Sequence, residues 1–337
     1  MRRHFPLYYH LTDKEKLQLF KSKDCYFVFD TNALLDIYRL GKDTAEKVLL
    51  LLDKFKDRIV IPMHVAREYH EHMLDIITEI CAKYDDFLCH NATEKILGGL
   101  FSSLKIENFP SVKRKFVKYL KPAIDEMFRE VEAEHRYMKD QFQTWDLQGK
   151  LSDALGEMVL EGFTDEEIRE IEKEGGTRYS KNIPPGYKDL KTKNTNVYGD
   201  LIIWKEILKC AKANRCSVVF IGRDMKEDWI QKLHGMICGP RQELLDEYNK
   251  YSPTGKFHIY TLDQFLEFAN GIDKVLDDAE LSEVKEIAEM QSAIKANDAK
   301  STSSVPVKMC ALELDKAEMT PTEEKSAKGI EKQLKVG

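Results

Sequence analysis

The chain has 337 residues and a net charge of −6; that length supports one large domain or two, and the acidic balance excludes a protein that coats nucleic acid by bulk attraction while leaving room for a local basic face. Its cysteines, Cys25, Cys81, Cys89, Cys210, Cys216, Cys238 and Cys310, are odd in number and form no C-x-x-C pair, which points to a reducing compartment and away from a zinc module. Met1 to Pro6 has no apolar leader core, and the longest aliphatic run, Val48 to Leu52, is too short for a bilayer, so the expectation is a cytoplasmic protein with no membrane partner.

Residues 1–24 read as an N-terminal extension with a short helix, Lys14 to Ser22, capped by Thr12. Cys25 to Phe29 is an apolar run with aromatic and β-branched residues that ends abruptly in Asp30, the pattern of a buried strand. Ligands of open α/β sheets bind beyond the carboxyl ends of the strands, so Asp30 stands where chemistry would be done. The plainer alternative is that Asp30 only caps the next turn. A turn of helix to Tyr38, an amphipathic helix from Gly41 to about Phe55 and a second strand, Arg58 to Ile61, follow. Strand, helix, strand predicts a parallel pair with a right-handed crossover. Pro62 opens the next helix, whose inward stripe includes Val65, Tyr69 and Met73. Glu68 borders that stripe in the second turn, near the crevice of Asp30. His64, Glu68 and His72 are spaced i, i+4, i+8, but the H-E-x-x-H spacing of a zinc site is missing.

From Met73 the apolar residues fall at alternating threes and fours through Ile77, Ile80, Tyr84 and Phe87, and after Pro122 they do so again from Ile124 to Trp145. Two such seams joined by a loop predict an antiparallel helical arm at residues 73–176, inserted between the halves 25–72 and 177–272 of an α/β domain. Between the seams Lys105, Lys113, Arg114, Lys115, Lys118 and Lys121 surround Phe116, Val117 and Tyr119, either as a solvated helix face or as a surface for a phosphate backbone. Residues 150–176 are acidic and partly helical, ending at Gly175-Gly176. Arg178 to Asp189, with Pro184-Pro185 inside it, is a linker or a lip on which Arg178, Lys181, Tyr187 and Lys188 hold a nucleic-acid strand.

Val197 to Ala213 is a helix with Asp200 on its inward stripe, satisfied there by free backbone N–H groups or by a metal. Ser217 to Ile221 is a strand, and Gly222-Arg223-Asp224 follows it. Asp224 again lies past a strand's carboxyl end, with Asp228 one helical turn later. Gly239 to Leu244 opens another helix, Phe257 to Tyr260 is a last strand and Leu262 to Ala269 a closing helix. Residues 273–298 are an acidic helix, and 299–337, poor in aromatics, are expected to be disordered.

Asp30, Glu68, Asp200 and Asp224, with Asp228 in reserve, come from separate elements and map to one end of a parallel sheet. Gathered carboxylates repel one another, so a fold that collects four offsets the cost with a cation. Hard oxygen ligands suit one or two Mg²⁺ or Mn²⁺ ions, which would activate water against a phosphodiester. The run Phe29 to Asp36, then Glu68, Gly199-Asp200 and Asp224, resembles the acidic quartet of PIN-domain nucleases in the right order. Pro184 to Asp189, Gly199 to Trp204 and Gly239 to Leu244 are similar to a bacterial PIN-like subfamily first described as a domain of unknown function. The likeness covers residues 22–270. It implies a three-layer α/β/α sandwich around a parallel sheet with an inserted helical arm, Mg²⁺ or Mn²⁺, and cleavage of single-stranded RNA or structured nucleic acid. It also implies that Asn32 orients Asp30 or touches substrate. Where the family carries Thr or Ser with paired acids, this chain has Arg223, a candidate substrate contact. Such proteins act in RNA decay, as toxins or against phage, often as homodimers. Two rivals remain: a non-catalytic binding module, and a haloacid-dehalogenase-type phosphatase, which needs a second Asp where Asn32 stands.

Overall fold

The computed structural model describes residues 11–90, 93–192, 195–223, 226–234 and 236–298. In chain order the elements are α1 (Asp13–Lys21), β1 (Cys25–Phe29), α2 (Thr31–Asp36), α3 (Lys42–Asp53), β2 (Ile59–Val60), α4 (Met63–His90), α5 (Thr93–Ser103) and α6 (Pro110–Thr144). Then follow α7 (Asp146–Leu155), α8 (Asp165–Ser180), α9 (Asp189–Thr192), α10 (Gly199–Asn214), β3 (Ser217–Gly222), β4 (Ile230–Leu233), β5 (Met236–Pro240), α11 (Gln242–Tyr251), β6 (Phe257–Thr261), α12 (Leu262–Asn270) and α13 (Asp278–Asp298). Residues 1–294 and 295–337 are two units, and the second lies outside the described residues apart from the end of α13. The expectation of a disordered tail falls outside them too.

Four strands form one all-parallel sheet in the order β2-β1-β3-β6. Its middle strands read as unbroken apolar runs because helices cover both faces. On one face Phe27 and Phe29 of β1 meet Phe265 of α12 at ring distances of 5.1 and 5.4 Å, with Phe20 of α1 beside them. On the other, Phe257 of β6 meets Trp204 of α10 at 5.0 Å and Tyr248 of α11 at 5.4 Å. The result is the expected α/β/α sandwich. Glu206 of α10 lies buried and accepts a hydrogen bond from the His64 N–H in the first turn of α4. Burial raises its carboxyl to about 7. This bond fixes the start of α4 against α10, and so the two helices that carry Glu68 and Asp200.

α4 passes from the sheet into the arm without a break and pairs antiparallel with α6: Tyr84 meets His135 at 5.7 Å and Phe87 meets Phe128 at 5.5 Å. At the far end Leu97, Phe101 and Ile106 make a small core of their own with Phe116, Val117, Leu120 and Ile124 of α6. Three expectations change. α6 begins at Pro110 and runs through Pro122; Pro110 has the preset φ of a first helical position, and Pro122 forfeits one backbone bond in a helix held on both sides of it by Leu120 and Ile124. Gly175-Gly176 lies inside α8 rather than ending it, because a Cβ on Gly175 would stand 2.5 Å from the Tyr198 ring. The antiparallel hairpin β4–β5 was not foreseen: its strands are short, bury little beyond Ile230 and carry no apolar alternation. No helix among the described residues is long and apolar enough to cross a membrane.

Candidate functional site

β1 delivers Asp30 to the carboxyl edge of the sheet, where its N–H still donates to the Ile221 carbonyl at 2.7 Å. It occupies the N-cap position of α2, yet its side chain makes no capping bond. Oδ2 instead accepts from Asn32 Nδ2 at 3.2 Å. The reading of Asp30 as a mere cap therefore fails. Burial raises its carboxyl to about 6, the charges of Asp200 and Glu68 adding to the effect and Lys226 and Asn32 opposing it.

α10 supplies Asp200 from its first turn. Its Oδ2 accepts from Lys226 Nζ at 3.0 Å and from Trp229 Nε1 at 3.1 Å. Lys226 also reaches Asp189 Oδ2 at 3.5 Å. Burial alone would lower the lysine, but the charges of Asp200, Asp189 and Asp30 outweigh it and hold the ammonium well above its ordinary range. The chain before α10 closes tightly on this group: Gly186 has φ +85°, and a Cβ there would lie 2.9 Å from the Asp200 Cβ and collide with the Tyr179 hydroxyl. Asp228 is fully buried; its Oδ2 accepts from the Lys188 N–H at 3.3 Å, while Oδ1 and the neighbouring Tyr179 hydroxyl have no hydrogen-bond partner among the described residues. Burial and then the Asp200 charge raise Asp228, against the pull of Lys226. Asp30, Asn32, Asp200, Gly222, Lys226 and Trp229 line one cavity of about 20 Å³, room for a single water or ion.

Glu68, one helical turn after His64 on α4, is tied to the same edge. Thr31 Oγ1 donates to its Oε2 at 2.6 Å, Asn196 donates to Oε1, and His64 Nε2 stands 3.7 Å from Oε1 while bonding Asn196 Oδ1 at 3.2 Å. His72 turns away toward Asp75 in solvent, so the three-residue metal face read from the spacing does not assemble.

The structure thus brings Asp30, Glu68, Asp200 and Asp228 into one neighbourhood, whereas Asp224 lies outside the described residues. Asp228 sits in a turn before β4, not on a helix as expected, because the chain leaves the sheet edge into the hairpin. Two candidate substrate contacts are internal instead. Arg178 is buried and clamps Glu247 through both its Nη atoms, at 3.0 and 2.8 Å. Arg223 forms a two-pronged pair with Asp36 at 2.7 and 2.5 Å. Both guanidiniums found carboxylates that are distant in sequence, which spacing along the chain does not reveal. Lys181 is exposed, and Lys188 pairs with Glu227 through Nζ. Tyr187 lines an open cleft of about 620 Å³ with Arg241, Gln231 and Lys232. Lys113, Arg114 and Lys115 are exposed at the arm's far end. Sequence reasoning missed Asp189, Lys226, Tyr179 and Asn196; Asp189 stood in the Arg178–Asp189 segment, read there for its cations and rings and for its family likeness, not for its acid.

The donor set suits a hard cation: carboxylates at the sheet edge, of which Asp30 and Asp228 are raised by burial and by the Asp200 charge, an Asp228 Oδ1 without a partner among the described residues, and a polar cavity of ionic size. As the side chains stand, no three His, Cys, Asp or Glu residues among those described converge to hold a metal ion. The Lys226 ammonium takes up the charge of Asp200 and Asp189 instead.

A parallel sheet flanked by helices, with acids from separate elements gathered past its strand ends, defines the frame of an α/β protein whose site faces the sheet's carboxyl edge. The model of a PIN-like domain family matches residues 26–244, and the chain belongs to that family. Proteins of this class are usually nucleases and generally use divalent metals. Neither a curated protein nor a solved structure matches the chain.

Proposed function

We propose that this protein is a divalent-metal-dependent nuclease that hydrolyses phosphodiester bonds in single-stranded nucleic acid, RNA in preference to DNA, at the centre formed by Asp30 and Asp200. The observation that carries the reading is the small cavity shared by these two carboxylates at the sheet's carboxyl edge. Asp30 and Asp200, with Glu68 and Asp228 beside them and Asp224 from the adjoining stretch, are the residues that would hold Mg²⁺ or Mn²⁺. The ion supplies a polarised water and neutralises charge on the phosphodiester. Asn32 fixes Asp30 Oδ2, and Trp229 fixes Asp200 Oδ2. The stacked rings of Phe220 and Trp229, 4.7 Å apart, form an apolar wall of the same cavity. Lys226 is the cation nearest the cavity and the group that meets a phosphate oxygen there.

The test is cleavage of labelled single-stranded RNA and DNA with Mn²⁺, Mg²⁺ or EDTA, beside Asp30→Asn and Asp200→Asn. Metal-dependent cutting that falls at least a hundredfold in each variant supports the reading; cutting by both variants at the wild-type rate sinks it. One observation favours a second reading, a non-catalytic nucleic-acid module: Lys226 already balances part of the acidic charge. A folded wild type that binds oligonucleotide and cuts none, with any ion, would establish that instead.

A further inference from the structure

The far end of the helical arm has a charge opposite to that of the whole chain. Between Thr93 and Lys121 there are seven lysines and arginines against two glutamates, in a protein of net charge −6. Lys121 is engaged with Glu94. Lys105, Lys113, Arg114, Lys115 and Lys118 are exposed and have no carboxylate partner among the described residues. Lys113 lies over the Phe101 ring at 5.2 Å and Lys118 over the Tyr119 ring at 5.6 Å. Between these cations two large aromatic rings stand in solvent, Phe109 at 59 % and Tyr119 at 68 % exposure. Val112, Lys115 and Tyr119 recur at i, i+3, i+7 and share one face of α6, so cation and ring are presented side by side. The small core under them fixes this surface in place. From Glu68 to His90, α4 carries the chain about 33 Å at 1.5 Å per residue, so the surface is remote from the acidic centre.

We propose that the arm tip is a second nucleic-acid contact, a surface that takes single-stranded RNA or DNA by its phosphates and unstacked bases. Five cations with no carboxylate partner among the described residues match the charge of a phosphate backbone, and exposed rings between them match the stacking faces of bases. The claim rests on the tip's own charge and does not depend on the acidic centre being catalytic. Binding is measured in EDTA, where cleavage is not at issue.

The probe is a fluorescein-labelled 15-nucleotide single strand, RNA or DNA, titrated with the full chain at several salt concentrations by anisotropy. Lys113→Glu, Arg114→Glu, Lys115→Glu together should weaken binding tenfold or more at 100 mM salt and flatten the slope of log K against log salt by about 2 (roughly 0.7 for each lost phosphate contact). A control with equal charge change, Lys14→Glu, Lys23→Glu, Lys54→Glu, should move the slope far less. Tyr119→Ala should weaken binding about fivefold with the slope intact, since stacking carries no counterions. Circular dichroism and thermal melts identify any variant that fails to fold, and the single Tyr119 substitution then carries the test alone. Equal losses in the tip and control triples would overturn the proposal, as would a tip triple that leaves oligonucleotide binding intact while abolishing sedimentation with phosphatidylserine vesicles or a salt-sensitive self-association.

Discussion

Burial and the charges of Asp200 and Glu68 push the Asp30 carboxyl up to about 6, so the folded chain binds a proton there more tightly than the unfolded chain, whose carboxyl titrates near 3.9. For this group, stability is greatest below the unfolded value and is lost as pH rises through about 6; at pH 7 the cost is at most about 3 kcal/mol. Asp30→Asn removes that cost. In EDTA its melting temperature should exceed that of wild type by several degrees at pH 7 to 8, and the gap should close by pH 4. A gap of constant size across that range would mean that the carboxyl is not held as placed. Lys226 carries the complementary prediction. Its ammonium screens Asp200, Asp189 and Asp30, and unit charges about 5 Å apart interact by about 3 kcal/mol at an effective dielectric of 20. Lys226→Met should melt lower than wild type in EDTA and bind Mn²⁺ about tenfold more tightly by calorimetry. Unchanged affinity would separate the lysine from the cation site. Asp30, Glu68 and Asp200 were legible in the sequence because each sits at a fixed distance past a strand or inside a helix stripe. Asp189 and Tyr179 were not, since a fold-back of the chain at Gly186 against α10 makes them part of the site, nor was Lys226, which reaches Asp200 and Asp189 from the stretch between β3 and β4.

Among elements, α3 shows how a helix without its own cap borrows one. Gly41 at its N-cap offers no side chain, and Glu283 of α13 accepts from the Gly41 N–H at 2.6 Å and from Thr44 Oγ1 at 2.5 Å. Glu283→Ala should lower stability in urea by about 1–2 kcal/mol, and Glu283→Gln by less, because the amide oxygen still accepts. Equal losses in the two variants would mean that charge at the helix terminus, not the hydrogen bond, is what matters. The same dependence on remote partners sets the limit of what elements reveal in sequence. β1 and β3 were legible almost to the residue as continuous apolar runs bounded by polar ones, and β6 as a short run interrupted by His258. Pro122 and Gly175 misled because their local preference is overruled by packing: the tip core in one case, the Tyr198 ring in the other. β4 and β5 pair mainly with each other, bury Ile230 and leave Leu233, Met236 and Ile237 exposed, so neither shows a continuous buried face to read.

Across the whole molecule the distribution of buried side chains predicts two levels of stability. One core runs from the sheet through α10 and α12 to the base of the arm, including Met73, Ile77 and Met138; the tip core of Leu97, Phe101 and Ile106 is separate from it. Between them the arm is joined by the α4–α6 seam, where the ring pairs Tyr84–His135 and Phe87–Phe128 lie at the margin of either core. A few buried side chains stabilise little compared with the extended aromatic layers on both faces of the sheet, so the tip should open on its own, below the free energy of global unfolding. Hydrogen exchange followed by mass spectrometry should find α5 and the first three turns of α6 exchanging at least a hundredfold faster than β1 and β3. Phe101→Ala, which empties the tip core at a cost of about 3–5 kcal/mol, should erase protection in α5 while leaving the main melting transition and the exchange of β1 unchanged. If instead Phe101→Ala lowers protection in β1 in parallel, the arm and sheet unfold as one cooperative body, and the seam transmits between them the full stability of the domain.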